Sequence, residues 1–218
     1  ACDGAPVLAD PGTYLYSGDP ATRNTLRSTR AHNTPLVEAA EQNRFWPGLL
    51  FRMMDDTRSR LLRYHSTESD FHFAGEHYGY QRLPHRITVR RDLQLHRAHD
   101  SLLVCDTLTG HGAAQVEWNF TLAPGITPEA LATVDLPPLL EAATEVPMRL
   151  HSAWRLASLW MRVWVAGDAA PTASVVPGWF SPHYGHRVPV RVLRFAGSFL
   201  LPLRIAFAFA PAPHTEKS

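Results

Sequence analysis

Every second residue is apolar along much of this chain, and that repeat restricts the fold more than any single motif does. In AQVEWNFTL, Val116, Trp118, Phe120 and Leu122 share one side while Glu117, Asn119 and Thr121 share the other. Successive side chains leave a pleated backbone on opposite faces, so period two marks a half-buried strand. Leu203, Ile205, Phe207 and Phe209 repeat the pattern, interleaved with Arg204, Ala206 and Ala208. Ile87 with Val89, and Leu93 with Leu95, read as two further short strands. Residues 101–120 read as a hairpin turning at Gly110-His111-Gly112. Eighteen prolines and 13 glycines suit short elements joined by turns better than long helices. Pro128–Val146 breaks the pattern; Pro137-Pro138 interrupts an Ala/Leu/Glu-rich run, and it reads as an irregular insertion with room for a short helix. The prediction is all-β: an antiparallel two-sheet β-sandwich forming one domain over residues 1–218.

Charge narrows the range of partners. Lys and Arg number 21 against 20 Asp and Glu, a formal charge of +1, so there is no bulk attraction to nucleic acid or to an anionic membrane. No apolar run reaches the roughly 18 residues of a membrane span. The C-terminal FAGSFLLPLRIAFAF comes closest but is interrupted by Pro202 and Arg204. The expectation is therefore neither a nucleic-acid partner nor a membrane one. Of the two cysteines, Cys105 lies in the apolar run SLLVCDTL and reads as a buried, inert thiol. The chain opens ACDGAPVLAD without an initiator Met or a signal peptide, as though inside an element.

The first third concentrates the polar chemistry. VLADPGTYLYSGDPATRNTLRSTRAHNT runs from an apolar strand at Val7-Leu8 into an Asp, a Pro-Gly turn, two tyrosines, three arginines and a histidine. Asp10 stands where that strand ends, a common place for a functional side chain on a rigid support. Asp10 and His32 are both competent zinc ligands, but a zinc site normally draws three or more protein ligands. By residue type alone, a turn-capping Asp and a hydrogen-bonded His remain open. Arg23, Arg27 and Arg30 suit bidentate binding of carboxylate or sulfate, and equally suit surface pairing with Asp19, Glu38 or Glu41. Tyr14 and Tyr16 fit acid–base, stacking or packing roles. The pairs His96/His99 and His183/His186 have a spacing that shares a face on a helix but not on a strand, and are set aside. The sequon at Asn119 falls inside a strand.

The ordered run from Asp10 to Thr34 resembles the C-terminal β-sandwich domain of the heparinase II/III-like polysaccharide lyases, a supersandwich-like fold. GEHYGYQRLPHRITVRR, VCDTLTGHG and WFSPHYGHRVPV resemble further segments of that family. The resemblance covers nearly the whole chain and is weakest over Pro128–Arg155. It implies β-elimination of uronic-acid-containing polysaccharides: a uronate carboxylate is neutralised, a base removes the C5 proton, and the glycosidic oxygen leaves C4. It also implies an N-terminal (α/α) toroid as partner domain, supplying most of the catalytic groups and lying outside this chain.

Asp10 and His32 match two of the family's three ligands to zinc or another divalent metal. The third, a histidine, is expected shortly before Ala1, which makes the site incomplete and the sandwich truncated at its N-terminus. Tyr14, Arg27 and His77 are candidate catalytic contributors, and Arg23, Arg27, Arg30 and Tyr80 candidate substrate-binding residues. A periplasmic or secreted location follows from the resemblance alone. Two alternatives differ in class. One is a non-catalytic sandwich that binds acidic polysaccharide. The other, a metal enzyme of cupin type, requires a His-x-His pair that this chain lacks.

Overall fold

The computed structural model describes residue 2, residues 4–132 and residues 147–212. Among these the chain forms an α-helix, α1 (Pro20–Arg27), and twelve strands: β1 (Pro35–Val37), β2 (Arg60–Ser66), β3 (Asp70–Tyr80), β4 (Ile87–His96), β5 (Ser101–Thr109), β6 (Ala113–Thr121), β7 (Pro128–Leu131), β8 (Met148–Leu156), β9 (Leu159–Ala166), β10 (Thr172–His183), β11 (His186–Leu200) and β12 (Leu203–Pro211). They build two sheets. One has four strands in the order β1-β6-β11-β10; the other has eight, β2-β3-β4-β5-β12-β9-β8-β7. Every strand pairing is antiparallel. The sandwich architecture expected from alternation is the one found.

The core lies between the sheets and is made by the alternating rows. Val116, Trp118 and Phe120 of β6 face Leu203, Ile205, Phe207 and Phe209 of β12, and none of the seven is more than 4% exposed. Phe120 and Phe207 meet edge to face with centroids 4.7 Å apart. Burying one such side chain contributes about 1.5–3 kcal/mol.

Four sequence expectations are corrected. The stretch 101–120 is not a hairpin, because β5 and β6 belong to different sheets. Both strands carry an inward row, so the chain arches across the core and turns the two rows toward each other. The turn is held from outside: His111 N–H donates to the His85 carbonyl at 3.0 Å. A Cβ on Gly110 would lie 2.6 Å from that same oxygen.

The two short strands at Ile87–Val89 and Leu93–Leu95 are one strand, β4. Arg91 interrupts the apolar row in sequence yet points the same way, toward Asp106 of β5. Pro128–Leu131 is a strand, pairing among the described residues only with β8. A proline can open such an edge strand because its missing N–H removes no ladder bond. Residues 133–146 of that expected insertion lie outside the described residues. Finally, Val7-Leu8 is not a full strand but makes a single bridge, Leu8 to Leu122. It is flanked by Ala9 N–H to Thr121 O and Ala123 N–H to Val7 O, each at 2.9 Å.

Two smaller expectations hold. Cys105 is buried, its thiol pushed up by burial, with Arg204 Nε donating to Sγ at 3.2 Å. Asn119 of the sequon is 1% exposed within β6.

Candidate functional site

The polar first third crosses the outer face of the four-stranded sheet. Asp19 caps α1, accepting from Thr22 N–H at 3.0 Å and from the Thr22 hydroxyl at 2.6 Å, and Pro20 opens the helix where no amide bond is lost. Its one buried side chain, Leu26, faces the sheet. After the helix, Glu41 clamps the turn by accepting from Ser28 Oγ at 2.6 Å and Thr29 N–H at 2.7 Å. The AHNT stretch is then stitched to the end of β6. Asn33 Oδ1 accepts from Thr121 N–H at 3.0 Å, and Thr121 Oγ1 donates to Ala31 O at 3.3 Å.

Because the Leu8–Leu122 bridge delivers the preceding segment to the same end of β6, Asp10 and His32 meet across 22 residues of sequence. Asp10 Oδ1 lies 2.9 Å from His32 Nδ1. Asp10 Oδ2 accepts from Gly12 N–H at 3.1 Å. The carboxylate and imidazole sit in solvent, at 70% and 38% side-chain exposure. Two metal-competent groups in contact at an open edge fit two-thirds of a three-ligand site. Among the described residues no third His, Cys, Asp or Glu joins them.

The glycine in DPGTY has a steric reason. Gly12 holds φ +75°, and a Cβ there would collide with the Ser181 carbonyl. Gly12→Ala is expected to destabilise the protein by about 1–3 kcal/mol through left-handed strain and this clash. A thermal melt indistinguishable from the wild type would contradict it.

The other candidates divide. Arg27 spends its nitrogens on Asn24 Oδ1 (2.9 Å) and the carbonyls of Leu49 (3.2 Å), Leu50 (2.8 Å) and Arg52 (3.3 Å), with its guanidinium 4.1 Å from the Phe45 centroid. It fastens the loop at Leu49–Arg52 with these bonds. Tyr80 is fully buried, its hydroxyl donating to Pro35 O at 3.0 Å. Burial raises its phenol well above the usual range, so it is a core residue. Arg30 pairs with Glu117 at 2.8 Å. Arg23 stacks over Phe51 at 5.4 Å. Tyr14, itself at φ +64°, lies under the Arg187 guanidinium at 4.9 Å. His183 and His186 stack at 5.0 Å across the β10–β11 turn, and His96 Nδ1 contacts Asp70 at 2.8 Å.

His77 occupies a separate position, on β3 beside a cavity of about 380 Å³ that Thr34, Arg60 and Arg91 also line. Its Nδ1 accepts from Gly79 N–H at 3.3 Å, and among the described residues its buried Nε2 has no partner. Burial, opposed by the nearby Asp106 carboxylate and reinforced by Arg91, lowers its pKa to about 4. The ring is therefore neutral at pH 7. With Nδ1 accepting, the proton resides on Nε2.

The AHNT stretch links the two regions. Ala31 borders a cavity of about 460 Å³ under α1, and Thr34 borders the cavity at His77. Sequence reasoning missed Trp179, Arg187 and Arg194, which border the α1 side. WFSPHYGHRVP holds the first two, but by register they share a side of the sheet with the core residues Leu193 and Phe195, so alternation gave no sign of their exposure.

A two-sheet antiparallel sandwich of this topology is the fold this chain shares with solved heparinases. A sequence profile described as heparinase II/III-like, C-terminal, matches residues 1–206. The chain belongs to that family. Among solved structures it is similar to the heparan sulfate lyase HepC from Pedobacter heparinus, with 14% identity, a TM-score of 0.67, and coverage of 95% of this chain and 29% of that one. It is also similar to a structure described as heparinase III, with 15% identity, a TM-score of 0.65, and coverage of 96% and 28%. At such identity the likeness concerns the fold. The chain spans under a third of the length of these proteins. No curated protein matches it in sequence.

Proposed function

We propose that this chain is the C-terminal sandwich of a polysaccharide lyase that cleaves uronic-acid-containing glycans by β-elimination, acting together with an N-terminal toroid. The observation that carries the reading is the contact between Asp10 and His32 at 2.9 Å, within a chain whose family is that of heparinase C-terminal domains. In this reading the two side chains are ligands to a divalent metal, zinc by donor type, and a histidine from the preceding part of the parent chain completes the set. Such an ion, when bound, supplies fixed positive charge at the sandwich edge.

His77 is held neutral, with its proton on a buried Nε2, and adds no charge to the cavity that Arg60 and Arg91 line. It does not serve as the base, because its lone pair is taken by Gly79 N–H. The base belongs to the toroid. Tyr14 contributes a ring beside Arg187 and Arg30 a cation at the neighbouring cavity.

The test uses the full parent chain on heparan sulfate, alginate and other uronate polymers, following the unsaturated product by ultraviolet absorbance. Product from at least one uronate polymer is expected, and none from a neutral glucan. A fully metallated chain that forms no product from any uronate would overturn the reading. Asp10→Ala in the parent chain is expected to lower bound zinc below half the wild-type stoichiometry; an unchanged metal content would remove Asp10 from the ligand set. The 218-residue chain alone is expected to bind zinc weakly and to show no lyase activity, and a sub-micromolar affinity would contradict that. The alternative, a module that binds acidic polysaccharide without cleaving it, draws support from the exposed aromatic rings and arginines near α1, and predicts binding without product.

A further inference from the structure

The cavity of about 460 Å³ between α1 and the outer face of the four-stranded sheet is walled by Trp179, with Arg30, Asn119 and Arg194 around it. Its cations are held in place. Arg30 pairs with Glu117, Asn119 Nδ2 donates to Glu117 Oε1 at 3.0 Å, and Arg194 Nε donates to Asn119 Oδ1 at 2.9 Å. Among the described residues the terminal nitrogens of Arg194 make no hydrogen bond, so the outer edge of a fixed guanidinium is left for a ligand.

The cavity opens onto a strip of rings and guanidiniums. Arg187 lies 4.4 Å from the Trp179 centroid and 4.9 Å from that of Tyr14. Gly185 N–H donates to Tyr14 O at 2.8 Å, bringing Tyr184 alongside, and Tyr184 meets Tyr16 at 5.1 Å. Tyr16 meets Phe51 at 6.1 Å, with Arg23 over Phe51. These rings are exposed: Trp179 43%, Tyr16 54%, Tyr184 60% and Phe51 70%. Single exposed aromatics are ordinary on a soluble protein, whereas a connected run of them marks a binding surface.

The chemistry selects the occupant. Aromatic faces take the apolar face of a sugar ring, and guanidinium forks take its carboxylate or sulfate. The carboxylates along the strip are already engaged, Asp19 by Thr22, Glu41 by Ser28 and Thr29, and Glu117 by Arg30 and Asn119. A neutral chain would leave the arginines unused.

We propose that this strip is an accessory track for an anionic polysaccharide, entered at the Trp179–Arg194 cavity and running past Tyr16 to Phe51. It takes its ligand class from the lyase reading but does not depend on the elimination step. It holds the polymer beyond the bond being broken.

The test is affinity electrophoresis of the full parent chain through gels containing heparan sulfate, alginate or neutral dextran. Retardation by at least one of the two anionic polymers is expected, and none by dextran. Trp179→Ala and Arg194→Gln are each expected to weaken the apparent affinity about tenfold, corresponding to about 1.4 kcal/mol. Phe51→Ala, at a 70% exposed ring, is expected to weaken it severalfold. Arg63→Gln removes the same charge from an exposed position on β2 and is expected to leave it unchanged.

Equal retardation of wild type and all three strip variants would overturn the proposal. So would a lower melting temperature with proteolytic release of the preceding domain and unaltered glycan affinity, since the strip would then be a contact between domains. The product assay separates the two readings: cleavage with unaffected strip variants leaves the lyase standing without the track, and retardation without product leaves the track without the lyase.

Discussion

Asp106→Ala is expected to cost about 3–5 kcal/mol of stability, the range for removing one partner of a buried ion pair. Asp106 is fully buried, and it receives Arg91 Nε and NH2 at 2.7 Å each and Trp118 Nε1 at 2.8 Å. The three residues come from β4, β5 and β6, so one carboxylate ties the two sheets together. Its loss leaves the indole N–H without its acceptor and strips the carboxylate from the guanidinium, 24% exposed, which keeps the Asn33 carbonyl. Against a typical total of about 5–15 kcal/mol, the variant is expected to unfold at a much lower urea concentration. Arg91→Met combined with Asp106→Leu is expected to recover much of the loss, because an apolar pair of similar volume avoids desolvating two charges. The orphaned Trp118 N–H keeps a penalty of about 1–3 kcal/mol. A single Asp106→Ala variant within 1 kcal/mol of wild type, by urea midpoint and slope, would show that the bridge carries no such weight.

That same ion pair explains where the sequence misleads. The inward row of β4 is Ile87, Val89, Arg91, Leu93 and Leu95, and a charge in its middle looks like a break between two strands. The compensating Asp106 lies on another strand, so periodicity within β4 holds no sign of it. Strand existence is local and was legible. Sheet membership is not local: the alternation in β5 and β6 is equally consistent with a hairpin and with an arch, and only the facing rows Val104–Asp106–Leu108 and Val116–Trp118–Phe120 decide it.

The candidate site follows the same division. Nothing in a gap of 22 residues brings Asp10 to His32; their pairing was legible through family resemblance and arises physically from two attachments to the end of β6. Arg27 and Tyr80 have the right chemistry, but residue type does not reveal whether a polar end is already satisfied. In both it is, by loop carbonyls and by Pro35 O. Trp179 and Arg194 lie far apart in sequence from Arg30, so the cavity they share becomes visible only once β10 and β11 are laid beside α1.

Between pH 6.5 and 4 the protein is expected to lose stability through His77 alone by at most about 3 kcal/mol, the equivalent of a fall from an ordinary histidine pKa to about 4. The direction follows from proton binding. In the unfolded chain His77 takes up a proton near pH 6.5, while in the fold burial resists it down to about 4, so acid favours the unfolded state across that window. The contribution is complete above pH 6.5 and gone below 4. Asp56, held at about 2 chiefly by its hydrogen bond from Arg44, acts in a different window: its stabilisation is lost only as the pH falls from about 4 towards 2. Urea midpoints measured each half unit from pH 7 to 3.5 are expected to fall for the wild type and to flatten between 6.5 and 4 in His77→Gln. If His77→Gln retains the full wild-type slope there, His77 is protonated in the fold, and the ring beside Arg60 and Arg91 is a cationic imidazolium rather than a neutral imidazole.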